Sequence, residues 1–155
     1  MPLGELGTRK MAKIIMNGLI AIFFMLLSLC SKAGSKVELN LWIVPKLSTH
    51  VFDGQKIGSG EISTQDVHSG YNVWIDAPLS GSVPNRYLIT GRYSTQHELH
   101  VILEQNNWSP NEKTCKGIVK QTDEAQAYFD VIADGEQNIP VDEYRITVLG
   151  DYFTP

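Results

Sequence analysis

Apolar and polar residues alternate with a period of two over most of the chain after residue 36. Val37, Leu39, Leu41 and Ile43 share one face of a first strand over 37–44, and Pro45 ends it because proline brings no N–H to a ladder. A Gly-rich connection over 49–60, with Asp53-Gly54 as its turn signal, leads to a weaker strand over 61–67. In 71–76, Tyr71, Val73 and Ile75 face one way and Trp74 the other. Two further strands are predicted over 86–90 and 98–103, flanked by a loop over 77–85 and a long polar loop over 105–117. Ala125, Ala127, Phe129 and Val131 line one face of a long strand that stops at Asp134-Gly135, and Tyr144, Ile146 and Val148 line a closing strand over 144–149.

Seven or so short alternating strands, with no helical period after residue 33, make the fold class all-β. An immunoglobulin-like sandwich is the leading architecture. Tyr144, ten residues after Asp134, fits the tyrosine corner before such a sandwich's F strand, although Ile146 stands where true members carry a cysteine. A sandwich of this kind needs one more strand after 144–149, and seven residues follow Val148. The expected sandwich is therefore incomplete, lacking its last strand. Residues 149–155 have two open outcomes, a frayed tail or a segment that folds back into the gap.

Residues 1–33 have a different pattern. Arg9, Lys10 and Lys13 precede an apolar run over 14–29, and Ser31-Lys32-Ala33 offers small residues before a cut at Gly34. These are the parts of a cleaved secretory signal. The run is short for a membrane-spanning helix and Asn17 and Gly18 interrupt it, which disfavours a retained anchor. Met11 offers a second start, and Leu29 argues against lipid attachment at Cys30. The exported domain is then 34–155. Arg9, Lys10, Lys13, Lys32 and Glu5 leave with the leader, so 9 Lys+Arg and 16 Asp+Glu remain, a formal charge of −7. Nucleic acid and anionic membrane are poor partners for such a surface. Cys115 is left as the single cysteine, so no internal disulfide forms, and with no flanking His it reads as a bystander thiol.

Candidate chemistry is sparse. His97 and His100, three apart in a strand, point to opposite faces and cannot share a metal; His50 and His68 stand alone. Gly58-Ser59-Gly60 lacks the strand–turn–helix setting of a nucleophile elbow and reads as a connector. The carboxylates are scattered as on a solvated surface, and no pair has glycosidase spacing. Asn107-Trp108-Ser109 matches a glycosylation sequon weakened by Pro110. No cofactor is implied. Trp74 reads as core, and Trp108, in a polar loop, is the aromatic expected to contact a receptor.

From Gly60 onward the chain carries, in order, Gly60, His68-Ser69-Gly70-Tyr71-Asn72-Val73-Trp74, Arg86-Tyr87, His97-Glu98-Leu99-His100-Val101, Trp108-Ser109-Pro110 and Lys116-Gly117. Phe129-Asp130-Val131-Ile132-Ala133-Asp134-Gly135 and Glu143-Tyr144-Arg145 complete the set. In this it resembles the AfaD/AggB family of invasins, minor tip subunits of chaperone–usher afimbrial and aggregative-adherence fimbriae of enteric bacteria. The resemblance implies a subunit exported through the periplasm to the bacterial surface. It also implies a dedicated periplasmic chaperone and an outer-membrane usher as partners. The last strand is then supplied by the chaperone or by the N-terminal extension of a major fimbrial subunit. A host cell-surface receptor is implied too, integrins being the proposed class, though the chain has no Arg-Gly-Asp. Better-known members carry a cysteine pair at positions that hold Thr64 and Tyr152 here, so that bond cannot form.

On this reading Leu39, Leu41 and Ile43 on the first strand and Ile146 and Val148 on the last wall an open groove. An isolated subunit is expected to self-associate by strand swapping. The alternative function is a free-standing secreted binding module, for instance for carbohydrate; a small periplasmic enzyme is remote. Because the first strand starts about three residues after Gly34, the subunit has no strand to donate and a terminal place in the fibre is predicted. N-terminal sequencing of the exported protein should begin at Gly34; a start well before Ala33 would leave a donor extension and contradict the terminal position.

Overall fold

The computed structural model describes residues 36–155, and the leader expected over 1–33 lies outside the described residues. Eleven strands follow one another: β1 (Glu38–Ile43), β2 (His50–Val51), β3 (Lys56–Ser63), β4 (Gly70–Ile75), β5 (Arg86–Thr90), β6 (Glu98–Glu104), β7 (Ser109–Pro110), β8 (Ile118–Gln121), β9 (Gln126–Ala133), β10 (Gln137–Asn138) and β11 (Val148–Phe153). The described residues contain no helix. One sheet has the order β1-β3-β9-β6-β5, a second β11-β4-β8-β7, and β10 pairs with β2 in a small ribbon. All pairings are antiparallel.

The period-two pattern decides which faces meet. Ile62, Leu99, Val101, Leu103, Phe129 and Val131 from the larger sheet join Tyr71, Val73, Ile75 and Ile118 from the smaller one in a single buried cluster. Two sheets closed over one apolar layer make a sandwich of the immunoglobulin type. The expected corner is present, with Tyr144 Oη donating to the Pro140 carbonyl at 2.7 Å just ahead of β11.

Two motif blocks turn out to be fastenings. The ring nitrogens of His68 lie 2.8 Å from the Asp66 carbonyl and 2.9 Å from that of Glu124. Tyr71 Oη donates to the Glu124 and Ala125 carbonyls, so the start of β4 is tied to the start of β9. On β9, Phe129, Val131 and Ala133 fill the core. Asp130, facing out between them, accepts from Ser59 Oγ at 2.7 Å and Gln105 Nε2 at 3.0 Å, and Asp134 accepts from Arg86 at 2.7 Å.

The structure differs from the pattern in three places. Residues 56–60 are not a connection: Gly58 and Gly60 lie within β3, which runs through to Ser63. A Cβ on Gly58 would stand 2.7 Å from Ile43 Cδ1, and one on Gly60 would overlap the Phe129 ring opposite. Glycine is there because a large neighbour occupies the space, not because the chain bends. The short strands β7 and β8 carry too few alternating residues to stand out. The closing strand is Val148–Phe153, not 144–149. Tyr144 is drawn aside by its hydroxyl bond and by an isolated bridge to Gly91, and pairing with β4 begins at Val148↔Ile75. The last residues therefore neither fray nor fill the gap; they form an edge strand.

Gly60→Ala should destabilise the domain by roughly 1–3 kcal/mol, because the Phe129 ring has to leave its place. Urea unfolding should show this loss, while Gly54→Ala, with open space around it, should cost little beyond its positive φ of 72°.

Candidate functional site at two open strand edges

β1 borders one sheet and β11 borders the other. Antiparallel pairing alternates the direction of backbone groups. The bond from Val44 N to the Ile57 carbonyl fixes the phase on β1: Asn40 and Trp42 face β3, and Leu39, Leu41 and Ile43 face the outer edge. Likewise the bond from Asp76 N to the Thr147 carbonyl leaves Val148 and Gly150 facing the outer edge of β11. Among the described residues no strand pairs with either edge.

The two edges lie on the same side of the sandwich. At one end they close together: a Cβ on Gly150 would stand 3.0 Å from Leu39 Cδ1 and 2.7 Å from Ile62 Cδ1. Beyond the end of β1 and ahead of β11 lies an apolar cleft of about 510 Å³, with Ile43, Leu47, Ile57, Leu99, Ile139 and Ile146 in its walls. Of the five groove residues expected from the sequence, Ile43 and Ile146 meet in this cleft. Leu39 reaches the closed end, and Leu39, Leu41, Ile146 and Val148 are half-buried against the core while Ile43 is exposed. Sequence reasoning missed Leu47, Ile57 and Ile139. Each stands among polar residues, glycine or proline, so periodicity carries no signal for them; Leu99 lies in the strand predicted over 98–103.

Trp108 is half-buried. Its indole N–H donates to the Tyr128 carbonyl at 2.8 Å and its ring packs edge-on to Phe129 with centroids 6.3 Å apart. Thr64 and Tyr152, where the family resemblance places cysteines, are joined by hydrogen bonds instead. Tyr152 Oη donates to Asp66 Oδ2 at 2.8 Å, Asp66 N donates to Thr64 Oγ1 at 3.2 Å, and Thr64 Oγ1 donates to the Lys36 carbonyl at 3.0 Å. Cys115 is exposed. Among the described residues no group of three or more His, Cys, Asp and Glu is placed to hold a metal.

The cleft rim is organised by Asp142. Its side chain is fully enclosed and accepts from His97 Nδ1 at 2.8 Å, from Tyr93 N at 3.1 Å, from Ser94 N at 3.3 Å and from Glu143 N. Burial pushes the carboxyl pKa up, but these hydrogen bonds outweigh it and hold the group below the ordinary carboxylate range. Gly91 is required beside it, since any Cβ there would overlap the Asp142 carboxylate.

Comparison with known proteins gives a consistent picture. The family model described as "Enterobacteria AfaD invasin protein" matches residues 47–150. The chain is 33% identical over 132 residues to protein AfaD of Escherichia coli, covering 84% of this chain and 89% of that one. It is similar to the crystal structure of HdaB, the minor tip subunit of the E. coli Hda pilus, with a TM-score of 0.73 and 28% identity over 77% of this chain and 84% of that one. A structure describing fibronectin binding and biofilm formation of enteroaggregative E. coli AAF fimbriae matches with a TM-score of 0.72 and 30% identity, over 77% of this chain and 89% of that chain.

The Asp142 cluster has a pH signature. A carboxylate whose pKa falls on folding stabilises the native state above the ordinary carboxylate range, and that stabilisation is lost as pH falls through the lower folded value. Asp142→Ala should lower the urea midpoint at neutral pH and flatten the acid limb of the stability profile. An unchanged acid limb would show that the cluster does not hold the rim.

Proposed function

Because the chain belongs to the AfaD invasin family, we propose that its open side is the seat of a strand supplied by another protein. As a family member it is a minor tip adhesin or invasin subunit of a chaperone–usher fimbria, carried on the bacterial surface, and it is not an enzyme. The observation that carries the reading is the pair of edges, β1 and β11, left unpaired among the described residues, with an apolar cleft at the end of β1 and ahead of β11. An extended segment laid between them gains main-chain hydrogen bonds from both edges, and its alternate apolar side chains enter the cleft, which is strand addition.

The periplasmic chaperone fills this seat first, the usher receives the complex, and the N-terminal extension of the major subunit then replaces the chaperone strand. Leu39, Leu41, Ile43, Ile146 and Val148 form the walls, with Leu47, Ile57 and Ile139 deepening the open end. Residues 1–33 act as the export leader, and a first strand at Glu38, close behind a cut at Gly34, favours the terminal place. The subunit meets a host-surface receptor, of the integrin class or a matrix protein such as the fibronectin associated with the AAF fimbriae. Half-buried Trp108 is one contact.

Three or four inserted apolar side chains contribute about 5–10 kcal/mol, set against a net domain stability of about 5–15 kcal/mol. A peptide of the major subunit's N-terminal extension should therefore raise the melting temperature by roughly 15 °C or more. Ile43→Asp and Ile146→Asp should each weaken that response strongly. A cooperative melt that is already high and does not change with the peptide would favour an independent binding module.

A further inference from the structure

We propose that the outer face of the β11-β4-β8 sheet carries a small saccharide site that grips a vicinal diol between Asp151 and Lys116. These residues line one depression of about 140 Å³ together with Asn72, Trp74, Asn111 and Thr114. Asp151 and Lys116 carry opposite charges, yet neither forms an ion pair within 4.0 Å among the described residues. Two complementary charges held apart across a pocket invite a bridging ligand.

Each is fixed where it stands. Asn111, 5% exposed, donates through Nδ2 to Asn72 Oδ1 at 3.0 Å, and Asn72 Nδ2 donates to Asp151 Oδ1 at 2.7 Å, so the carboxylate is oriented from behind. The Lys116 ammonium sits 4.9 Å from the centre of the Trp74 ring. Its loop is pressed onto β4. The Asn111 side chain accepts from Thr114 N at 3.2 Å, Asn111 N donates to the Gly117 carbonyl at 2.9 Å, and Gly117 has a φ of 73° where a Cβ would overlap the Val73 carbonyl. Cys115, with a φ of 52°, stores further strain in the turn. A rigid loop that holds polar groups ready loses little freedom on binding.

One polar atom here is left over. The indole N–H of Trp74 is buried and has no hydrogen-bond partner among the described residues. Buried indole donors ordinarily find one, and an unmet donor in a native structure calls for a reason.

Hydroxyl groups answer this set of demands because each both donates and accepts. One hydroxyl of a diol donates to the Asp151 carboxylate, and its neighbour accepts from Lys116. The volume lies below the roughly 300–1,000 Å³ of pockets that engulf a whole ligand. It suits a single terminal sugar ring. The site faces away from the apolar cleft, so it does not depend on strand addition.

The test uses the indole N–H resonances of the three tryptophans in the ¹⁵N-labelled folded subunit. The probes are the methyl pyranosides of mannose, galactose and glucose, with cis-1,2-cyclohexanediol, cyclohexanol and glycine as comparisons. The Trp74 signal should shift with at least one pyranoside, at a Kd on the order of 1–10 mM, while Trp42 and Trp108 stay in place. The diol should shift it weakly and cyclohexanol should not. Asp151→Ala and Lys116→Ala should each weaken binding about tenfold or more. No Trp74 shift with any pyranoside, shifts that persist in both variants, or equal shifts from cyclohexanol would overturn the proposal. A response to glycine alone would assign the depression to zwitterions and overturn it as well.

Discussion

Backbone hydrogen bonding at strand edges is the constraint on which the rest of this structure depends. A strand offers N–H and C=O groups on both sides, and soluble proteins blunt or cover any edge that stays unpaired. Among the described residues β1 and β11 each pair on one side, with β3 and β4, and the unpaired sides adjoin. Beside them lies an apolar cleft in which exposed Ile43 and half-buried Ile146 stand over the buried Ile57 and Leu99. The domain thus exposes unpaired backbone and apolar side chains in one place, and a single extended segment meets both needs.

Around the open side the fold is tightened by polar contacts. Where the family resemblance implies a cysteine pair, this chain links Tyr152 to Asp66 and Asp66 to Thr64, which attaches β11 to the end of β3 through hydrogen bonds alone. His68 and Tyr71 tie the start of β4 to the β8–β9 connection. Asp142 gathers the segment before Tyr144 and the turn at Tyr93 to His97 into one rim. Such contacts are individually modest, about 0.5–1.5 kcal/mol net for a neutral pair.

Much of this was legible in the sequence wherever alternation was long. Tyr71, Val73 and Ile75 on β4 and Ala127, Phe129 and Val131 on β9 announce both their strands and their inward faces. The tyrosine corner was readable because it is a local interaction between Tyr144 and Pro140. What stayed hidden depends on partners distant in sequence. Gly58 and Gly60 look like a loop until Ile43 and Phe129 are seen beside them. β11 contains Gly150 and Asp151, and its pattern becomes sensible once Leu39 and Ile62 occupy the space over the glycine and Asn72 bonds the carboxylate. The expected groove was half visible, since strand residues such as Ile43 and Ile146 obey a period, whereas Leu47 and Ile139 reach the cleft from irregular segments.

Amide hydrogen exchange read residue by residue tests the central claim most directly. In the subunit without a donor, the amides of Leu41, Ile43, Val148 and Gly150 should exchange quickly, while that of Ile62 inside the ladder is protected. Binding of a donor segment should bring protection to the edge amides and leave Ile62 little changed. Full protection of the β1 and β11 edge amides with no partner present would mean that the chain already closes its own sandwich, and would contradict the account.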